Sequence, residues 1–414
     1  MQPAVVKKVG ELACQMSSYL KELTATVISC SEAAPQKVKA ATAAPSVTSY
    51  EVILSDTVLF PEGGGQPCDL GNINEVQVTN VQRRGDTCVH TTAGPLAVGS
   101  EVRVVVDWPR RVDHMQHHTA QHLLTAVMER ELGLPTMSWA LSTPTCYIQL
   151  PTAKVEAADV LKVQTLCNQI ISARTTVNRI VYPSKANLPP SRSRGIPDDV
   201  TGPIRLIDIE GQDVCTCCGT HLENLAELQT IQLLHQEPKG NTCRLHFIAG
   251  DRVTNQFGEL YDLTRSLIKE LGTNQENVLA ATQRRGQEAS AGTKQVRKLL
   301  SELAPIIAER VIADVKSSTT VNKPFFFHRE DADAEFLTVI AEAAKVAVSE
   351  RVLVLGCGGG EGGQFMVIGP VDAVKEVSTV VSGALEGKGG QSKAGFRGKG
   401  NMKLWKQAVK AFAA

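Results

Sequence analysis

The spacing of hydrophobic residues changes along this 414-residue chain and predicts a different kind of structure in each part. Up to about residue 110, apolar positions alternate with polar ones or form β-branched runs between turn residues, as in YEVILSDTVL at 50–59 and EVRVVVD at 101–107. This pattern predicts a β-rich N-terminal domain, and we expect it to be barrel-like.

A helix is predicted from Pro109 to Leu132, because no glycine or further proline interrupts these residues. Asp107 can cap the free N–H groups at its start, and Gly133 can end it. A second amphipathic helix is predicted over 153–173. The alternating segment 203–210 (PIRLIDIE) indicates a strand that leads into a cysteine cluster.

The C-terminal part of the chain combines a helical stretch with a small mixed region. Residues 255–317 are polar and helix-forming, with interruptions near Gly286 and Pro305, which predicts a helical connector or hairpin. Beyond it, strand-like runs (PFFFH, RVLVLG and QFMVIG) alternate with helices at 332–347 and 371–385, which indicates a small α/β domain.

The predicted fold class is therefore α+β, with four parts. They are a β-rich N-terminal domain, an α+β domain, a helical connector and a small α/β domain, over residues 1–110, 111–254, 255–320 and 321–414.

Composition changes this picture little. The formal net charge is zero, so the chain as a whole gives no electrostatic sign of a nucleic-acid partner. No apolar run approaches 18 residues and no secretory signal is evident at the N-terminus, so we expect no membrane association. The eleven cysteines are odd in number and scattered, so we interpret them as reduced thiols of a cytoplasmic protein, some of them metal ligands.

Two short clusters carry candidate chemistry: HTAQH at 118–122 and CCGTH at 217–221. In the first, His118 and His122 share one face of the predicted helix. In the second, Cys217 and His221 are also four residues apart, on a segment that the glycine between them is expected to turn. Three imidazoles and a thiolate are a donor set typical of Zn²⁺, so we predict one zinc ion per chain.

Spacing alone leaves alternatives open. The histidines could be ordinary polar residues of an amphipathic helix, and a zinc ion with four closed ligands could be purely structural. Cys215 and Cys218 form a rival chelating pair. His114 could replace His118, because it lies on the same helix face.

The clusters also carry a family resemblance. HTAQHLL resembles the HTATHLL-type helix of alanyl-tRNA synthetase editing domains, and CCGTHL resembles their CGGTH loop. Upstream, FPEGGGQPCDLG at 60–71 is similar to the family's aromatic-x-E-x-GGQ-x-x-D-x-G element. Because all three motifs occur in the family's order and spacing, the chain is identified as a member of the long form of free-standing alanyl-tRNA editing proteins. Residues of about 15–255 match the editing region, and the remainder resembles the C-terminal module of the synthetase.

The resemblance implies a ligand set and an activity. The implied zinc ligands are His118, His122, Cys217 and His221, which makes 111–254 a zinc-containing editing domain. The implied reaction is hydrolysis of the ester in tRNA(Ala) that wrongly carries serine, or glycine. No aminoacylation domain has room before Gly10, so charging of tRNA is not expected. Cys218 replaces a usual glycine and requires an ordinary backbone angle there.

Two further side chains are predicted to be catalytic. Gln66 occupies a family position from which it could hydrogen-bond substrate or water. Thr119 is the first candidate partner for the serine hydroxyl, because a site that bonds this hydroxyl leaves polar groups unpaired when alanine enters. Gln121 and Gln66 follow as candidates for the same role. Thr119 could instead bond its own helix backbone.

The segment GKGGQSKAGFRGKGNMKLWK near the C-terminus is locally basic. Its cations lie among glycines and beside Phe396 and Trp405, a flexible composition suited to phosphate contact and base stacking. The predicted RNA-binding residues are Lys388, Lys393, Arg397, Lys399 and Lys403. A solvated loop is the alternative. Further candidates for contact with the acceptor stem are Arg192, Arg194 and Arg205.

The sequence thus predicts a zinc-dependent aminoacyl-tRNA deacylase that acts in trans and contributes to translational fidelity. Zinc could activate a water or position the substrate, and a thiolate ligand, which lowers the net charge of the metal, makes positioning at least as good a hypothesis. Two competing hypotheses are a non-catalytic RNA-binding protein with structural zinc and a scaffold that binds partners through the helices at 255–317.

Overall fold

The computed structural model is mixed α+β, as predicted, and its chain forms two compact units, residues 1–263 and 264–414. The four domain boundaries drawn from sequence remain a prediction. The structure describes residues 5–33, 48–188, 203–318, 323–347, 350–392 and 395–412.

The first unit begins with a closed barrel of six antiparallel strands, which confirms the barrel-like expectation. A short helix, α1 (Ala13–Met16), precedes it. The strands are β1 (Glu22–Glu32), β2 (Tyr50–Leu54), β3 (Gly71–Ile73), β4 (Val76–Arg84), β5 (Thr87–Thr92) and β6 (Glu101–Val106). Their order around the barrel is β1-β2-β5-β4-β3-β6, and pairing of β6 with β1 closes it. Alternate β-branched side chains fill the interior.

The strand expected over 50–59 ends earlier, at Leu54. Asp56 explains the difference, because its carboxylate accepts hydrogen bonds from the backbone N–H groups of Ala13 at 2.9 Å and Thr57 at 2.8 Å. These bonds turn the backbone away from the ladder towards α1.

Helix α2 (Trp108–Leu132) follows the barrel and confirms the prediction made from its caps. The Asp107 side chain accepts a hydrogen bond from the Arg110 N–H at 3.3 Å, and Gly133 ends the helix in the left-handed region with φ 65°. Every side chain from His114 to Leu124 is buried. The middle of α2 is therefore enclosed on all sides, and polar residues there need partners within the protein.

Two sheets and a second helix enclose α2. The predicted helix at 153–173 begins later, as α3 (Ala157–Ser172). One antiparallel sheet has the order β12-β13-β8-β7, with β7 (Ser138–Ala140), β8 (Cys146–Leu150), β12 (Ile231–Lys239) and β13 (Thr242–Ala249). The other has the order β11-β10-β9, with β9 (Val177–Tyr182), β10 (Ile204–Ile209) and β11 (Asp213–Thr216), so the strand predicted at 203–210 is confirmed. Their apolar faces and α3 share one core with α2.

A buried ion pair joins the barrel to α2. Arg111 and Asp69 are both fully buried, and the guanidinium bonds Asp69 Oδ2 through Nε at 3.0 Å and through Nη2. The same guanidinium donates to the backbone carbonyls of Ser18 at 2.8 Å and Val58 at 2.5 Å. This network fixes the segment that follows β2 against the first turn of α2.

The helices after β13 correct one expectation. Helix α4 (Asp251–Leu271) and helix α5 (Val278–Ser317) are separated at 272–277, whereas α5 runs unbroken through Gly286 and Pro305. Gly272 adopts φ 60°, and the Asn274 side chain accepts from the Asn277 N–H at 3.1 Å, so the break has its own stop and cap. An internal proline costs about 3 kcal/mol, and burial of the neighbouring α5 face offsets this cost.

The second unit contains a five-stranded sheet with order β14-β15-β16-β18-β17. The strands are β14 (Phe325–Arg329), β15 (Leu353–Cys357), β16 (Gly363–Ile368), β17 (Lys388–Ser392) and β18 (Gly395–Gly400). The helices are α6 (Ala334–Ala347), α7 (Val371–Ala384) and α8 (Trp405–Lys410). The predicted alternation of strands and helices is confirmed. The C-terminal half of α5 adds five buried side chains to the same core, so part of the expected connector belongs to it: Leu300, Ala304, Ala308, Val311 and Val315.

The glycine-rich basic segment was expected to be flexible, and this was wrong for its described residues. Its glycines lie in the paired strands β17 and β18, where added side chains would collide. A Cβ on Gly398 would lie 2.4 Å from the Phe365 ring, and one on Gly389 would lie 2.3 Å from the Arg397 carbonyl. The glycines therefore permit close packing of a hairpin on β16.

Among the described residues, none of the helices is both long enough and apolar enough to cross a membrane.

Stability of the barrel should depend on His90. This ring is fully buried on β5, and burial lowers its pKa from 6.5 to about 4 despite a contact with the Val52 carbonyl. Between these values the unfolded chain binds a proton that the native ring does not, so the free energy of unfolding should fall by about 1.4 kcal/mol per pH unit as pH drops from 6.5 towards 4. Urea unfolding at several pH values measures this. With each free energy of unfolding expressed relative to the same protein's value at pH 7.5, His90→Gln should lose less stability per pH unit than the wild type. Equal slopes would contradict this assignment.

Candidate metal centre

Four side chains converge where α2 meets the loop after β11. Their nitrogen and sulfur atoms lie within 4.8 Å of one another, and the residues are His118, His122, Cys217 and His221. Cys217 Sγ lies 3.3 Å from His118 Nε2 and 3.1 Å from His221 Nε2. All three imidazoles are buried. Three ring nitrogens and one thiolate at this spacing fit tetrahedral Zn²⁺, so the residues present suit the ion.

Of the rival ligands, Cys215 lies in a second group of possible donors with His122 and Asp213, whereas the other two are placed elsewhere. Among the described residues, neither His114 nor Cys218 belongs to a group of donors close enough to hold a metal. His114 Nδ1 lies 4.0 Å from Asp69 Oδ1. Cys218 is exposed. Its sulfur lies over the run of three glycines at 63–65, which we call the glycine loop, and is 2.7 Å from where a Cβ on Gly64 would be. Cys218 has no positive φ, so the ordinary backbone angle that it requires is present.

Gly219 lets the loop approach α2. A Cβ at this position would lie 2.2 Å from the His118 ring and 2.7 Å from Gln66 Oε1, closer than real side chains come. Buried Arg205 holds the loop in place, because its guanidinium donates to the backbone carbonyls of Cys217 at 3.0 Å and of Gly219. Its expected contact with an acceptor stem was therefore wrong, because backbone oxygens inside the protein occupy the guanidinium.

Gln66 orients His118. Its Oε1 accepts from the Thr220 backbone N–H at 3.0 Å, which identifies this atom as the oxygen. The same oxygen lies 2.8 Å from His118 Nδ1, so that ring nitrogen carries the proton. Gln66 Nε2 donates to Thr220 Oγ1 at 2.9 Å. The lone pair of His118 therefore lies on Nε2, which faces Cys217.

Thr119 has the equivalent position for His221. Its Oγ1 lies 3.2 Å from His221 Nδ1 and accepts from the Leu222 backbone N–H at 3.1 Å. Like Gln66, Thr119 is fully buried. Both predicted catalytic residues thus lie beside the centre and contact the outer nitrogens of its histidines. Their roles towards substrate remain predictions.

His122 has partners that sequence reasoning missed. Its Nδ1 lies 2.9 Å from Cys215 Sγ and 3.8 Å from Asp213 Oδ2. In the sequence, Cys215 was a candidate only as a rival ligand, and Asp213 was not a candidate. A usable signal was present, because Asp213, Cys215 and Cys217 alternate along β11 and its extension and so share one side.

The electrostatics favour the metal-binding protonation state at Cys217 and His221 but not at His122. Burial would lower the pKa of His122, but the neighbouring Cys215 and Asp213 raise it well above its usual value. Burial lowers the pKa of His221 to about 3, which keeps the ring neutral. Burial alone would raise the pKa of Cys217, but the neighbouring His118 and His221 rings lower it well below its usual value. The form that binds a metal ion is a thiolate beside neutral imidazoles, so His122 must lose its proton when the ion binds.

The predicted RNA-binding residues lie in the second unit. Lys388 and Lys399 are directly opposite on β17 and β18, and Arg397 follows on the same face as Lys399. Lys403 lies beyond β18, 3.7 Å from Glu361. Lys393 lies outside the described residues, as do Arg192 and Arg194.

The two aromatic side chains of this segment pack partly inside the protein. Phe396 is half-buried against Phe365, with ring centroids 6.0 Å apart. Trp405 is also half-buried and stacks on His328 at 5.0 Å. Both rings contribute to the core on one face of the sheet, and their role in base stacking remains a prediction.

Comparisons with known proteins cover both the barrel and the metal centre. Residues 6–110 match the family of tRNA synthetases class II (A), and residues 204–245 match the threonyl and alanyl tRNA synthetase second additional domain. The chain is 38% identical over 401 residues to the alanyl-tRNA editing protein Aarsd1 of Rattus norvegicus, which covers 96% of each chain. It is 39% identical over 389 residues to the protein of the same name in Mus musculus, which covers 93% of each. It is also 29% identical over 280 residues to the alanine–tRNA ligase of Pyrococcus abyssi, over 64% of this chain and 30% of the ligase.

Removal of the Cys215 side chain should weaken zinc binding. Cys215→Ala takes away the nearest partner of His122 Nδ1, and loss of such an outer contact typically lowers metal affinity by roughly 10–100-fold. Competition with a chromogenic chelator under reducing conditions measures this. Cys30→Ser, which alters a half-buried thiol of the barrel, is the matched control. Unchanged affinity in Cys215→Ala would show that Cys215 does not orient His122.

Gly219→Ala should displace the loop or the His118 ring, because the two cannot occupy the same space. We expect zinc per chain to fall by at least half, while far-ultraviolet circular dichroism stays native. Gly292→Ala is the control, since that glycine has open space around it on α5. Full zinc occupancy in Gly219→Ala would contradict the packing argument.

Proposed function

The chain belongs to the family of alanyl-tRNA editing proteins, and from this membership we propose that it hydrolyses tRNA(Ala) mischarged with serine. Glycine is the second amino acid that the proposal includes. The observation that carries the proposal is the convergence of four donor atoms within 4.8 Å, in a chain that matches the rat editing protein over 96% of each length. We propose that the protein acts in the cytoplasm and contributes there to translational fidelity.

We assign four side chains to hold one Zn²⁺ per chain: His118, His122, Cys217 and His221. When bound, the ion supplies Lewis acidity towards the ester carbonyl or a water. The protein supplies the geometry. Gln66, Thr119 and Cys215 each contact a different Nδ1, which aims the three Nε2 atoms inward and limits rotation of the rings.

The glycine loop is proposed to receive the 3′ end of the tRNA. Gly64 and Gly65 are exposed and have φ values of 60° and 78°, and the next residue, Gln66, contacts His118. Trp139 closes one side of the loop, because a Cβ on Gly65 would lie 2.4 Å from its Nε1. A backbone without side chains allows a ribose to approach closely. Loop and ligands together define the place of the ester.

Contact with the rest of the tRNA is proposed for the basic hairpin. Three cations on one face of β17 and β18 attract phosphates in a salt-dependent manner: Lys388, Arg397 and Lys399. Lys403 extends the same set. Because the hairpin is packed in a sheet, these cations are presented on an ordered surface rather than on a flexible tail.

The decisive experiment compares tRNA(Ala) charged with serine, glycine or alanine as substrates of the zinc-loaded protein. We expect rapid loss of the serine ester and slow loss of the alanine ester. His122→Ala and Cys217→Ala should reduce serine deacylation by at least about 100-fold, because each removes a ligand. His235→Ala changes an exposed histidine on β12 and should retain wild-type activity.

Two outcomes would reject this proposal. Survival of all three esters with fully zinc-loaded wild-type protein would favour the non-catalytic RNA-binding hypothesis, in which zinc is structural. Wild-type activity in folded, zinc-free His122→Ala would show that the deacylase activity does not depend on this metal centre. Circular dichroism and zinc content, measured on each variant, distinguish loss of chemistry from loss of folding.

A further inference from the structure

Discrimination between serine and alanine requires a polar group near the centre that is unpaired until serine arrives. The two amino acids differ by one hydroxyl, so a purely apolar pocket that admits serine also admits alanine. A buried donor or acceptor that pairs only with the hydroxyl penalises alanine, because the polar atom then stays unsatisfied. The need for such a group rests on the proposed function.

In the two predicted catalytic side chains each polar atom already has at least one partner. Gln66 Oε1 already accepts from the Thr220 N–H and from His118 Nδ1, and its Nε2 donates to Thr220 Oγ1. Thr119 Oγ1 accepts from the Leu222 N–H and contacts His221. Their hydrogen bonds hold the loop and the histidines, and only the second N–H of Gln66 and the O–H of Thr119 are left for another partner.

Gln121 has the required property. It is 4% exposed, and its Oε1 is buried with no hydrogen-bond partner among the described residues. Its Nε2 donates to Thr125 Oγ1 at 2.9 Å, and Thr125 is in turn 3.0 Å from Thr136 Oγ1. One end of the carboxamide is therefore anchored while the other end is open. The opposite amide orientation would leave a donor open instead, and a hydroxyl can pair with either.

The position of Gln121 places it beside the centre. It immediately precedes His122 and lies one turn after His118 on α2, so its side chain neighbours that of His118. Exposure along this side of the helix rises from fully buried His118 to half-buried Thr125. Gln121 thus lies along α2 between the buried ligand His118 and the half-buried Thr125.

We propose that Gln121 determines specificity, and that its carboxamide pairs with the side-chain hydroxyl of the seryl group esterified to the tRNA. Thr125 and Thr136 hold the carboxamide in place, so little conformational freedom is lost when the hydroxyl arrives. Alanine presents a methyl group to the same atom and leaves it unpaired. Glycine has no side chain and also leaves this atom unpaired, so glycine esters should be hydrolysed more slowly than serine esters.

The test compares kcat/KM for serine- and alanine-charged tRNA(Ala) in wild type and Gln121→Met. Methionine has a similar length without the amide, so serine deacylation should fall by about tenfold or more while alanine deacylation stays constant or rises. Zinc content should stay at one per chain. Gln164→Met, on α3 at a half-buried position, is the control and should keep the wild-type serine-to-alanine ratio.

A second variant keeps the proposal open to refutation if Gln121→Met does not fold. Thr125→Val removes the anchor but leaves the amide, and should lower the serine-to-alanine ratio by a smaller factor. An unchanged ratio in folded Gln121→Met, or in Thr125→Val when the first variant is unfolded, overturns the proposal for Gln121. Absence of serine deacylation by the wild-type protein overturns the proposed function itself, so the two failures are distinguishable.

Discussion

The buried pair of Arg111 and Asp69 is the constraint on which the geometry of the centre depends. Both side chains are fully buried, and one carboxylate oxygen accepts from the guanidinium and from the Phe60 N–H at 2.7 Å. Because an unpaired charge is very costly inside a protein, substitution of either residue would leave the other charge buried without its partner. The pair fixes the start of the glycine loop to the first turn of α2. Gln66 consequently reaches His118, although 52 residues separate them in sequence.

The same principle governs the ligands. Each imidazole uses one nitrogen towards the centre and gives the other to a different partner, so three independent contacts define one shared point. This arrangement explains why the buried middle of α2 is polar around its histidines. The residues that follow His122 along the helix are apolar and belong to the core. It also separates duties within HTAQH, since Thr119 supports a ligand whereas Gln121 retains an open polar atom.

Sequence patterns predicted the parts of the fold that depend on local signals. The start and end of α2 followed from Asp107 and Gly133, and the strands of the second unit followed from their apolar runs. Convergence of the four proposed ligands was expected from spacing and family resemblance together. Features that depend on tertiary contacts were not predicted. Arg205 was expected to be a surface cation, and the glycine-rich hairpin was expected to be flexible. Neither the burial of a guanidinium nor the close packing of a glycine against Phe365 produces a periodic pattern of hydrophobic residues from which it could be predicted.

Helix α5 has an uneven anchorage along its length. Its 40 residues span about 60 Å at 1.5 Å per residue, yet the described side chains between Ala281 and Leu300 include none that is buried. An isolated helical stretch of this length is marginal in water, so its first half persists mainly by continuation from the packed second half. Pro305 lies within two turns of Leu300, where packing begins, and cannot donate a backbone hydrogen bond. Amide protons should therefore exchange with solvent fastest in the turns between Ala281 and Leu300 and slowest beyond Pro305, so α5 should lose its helical structure first in its exposed middle.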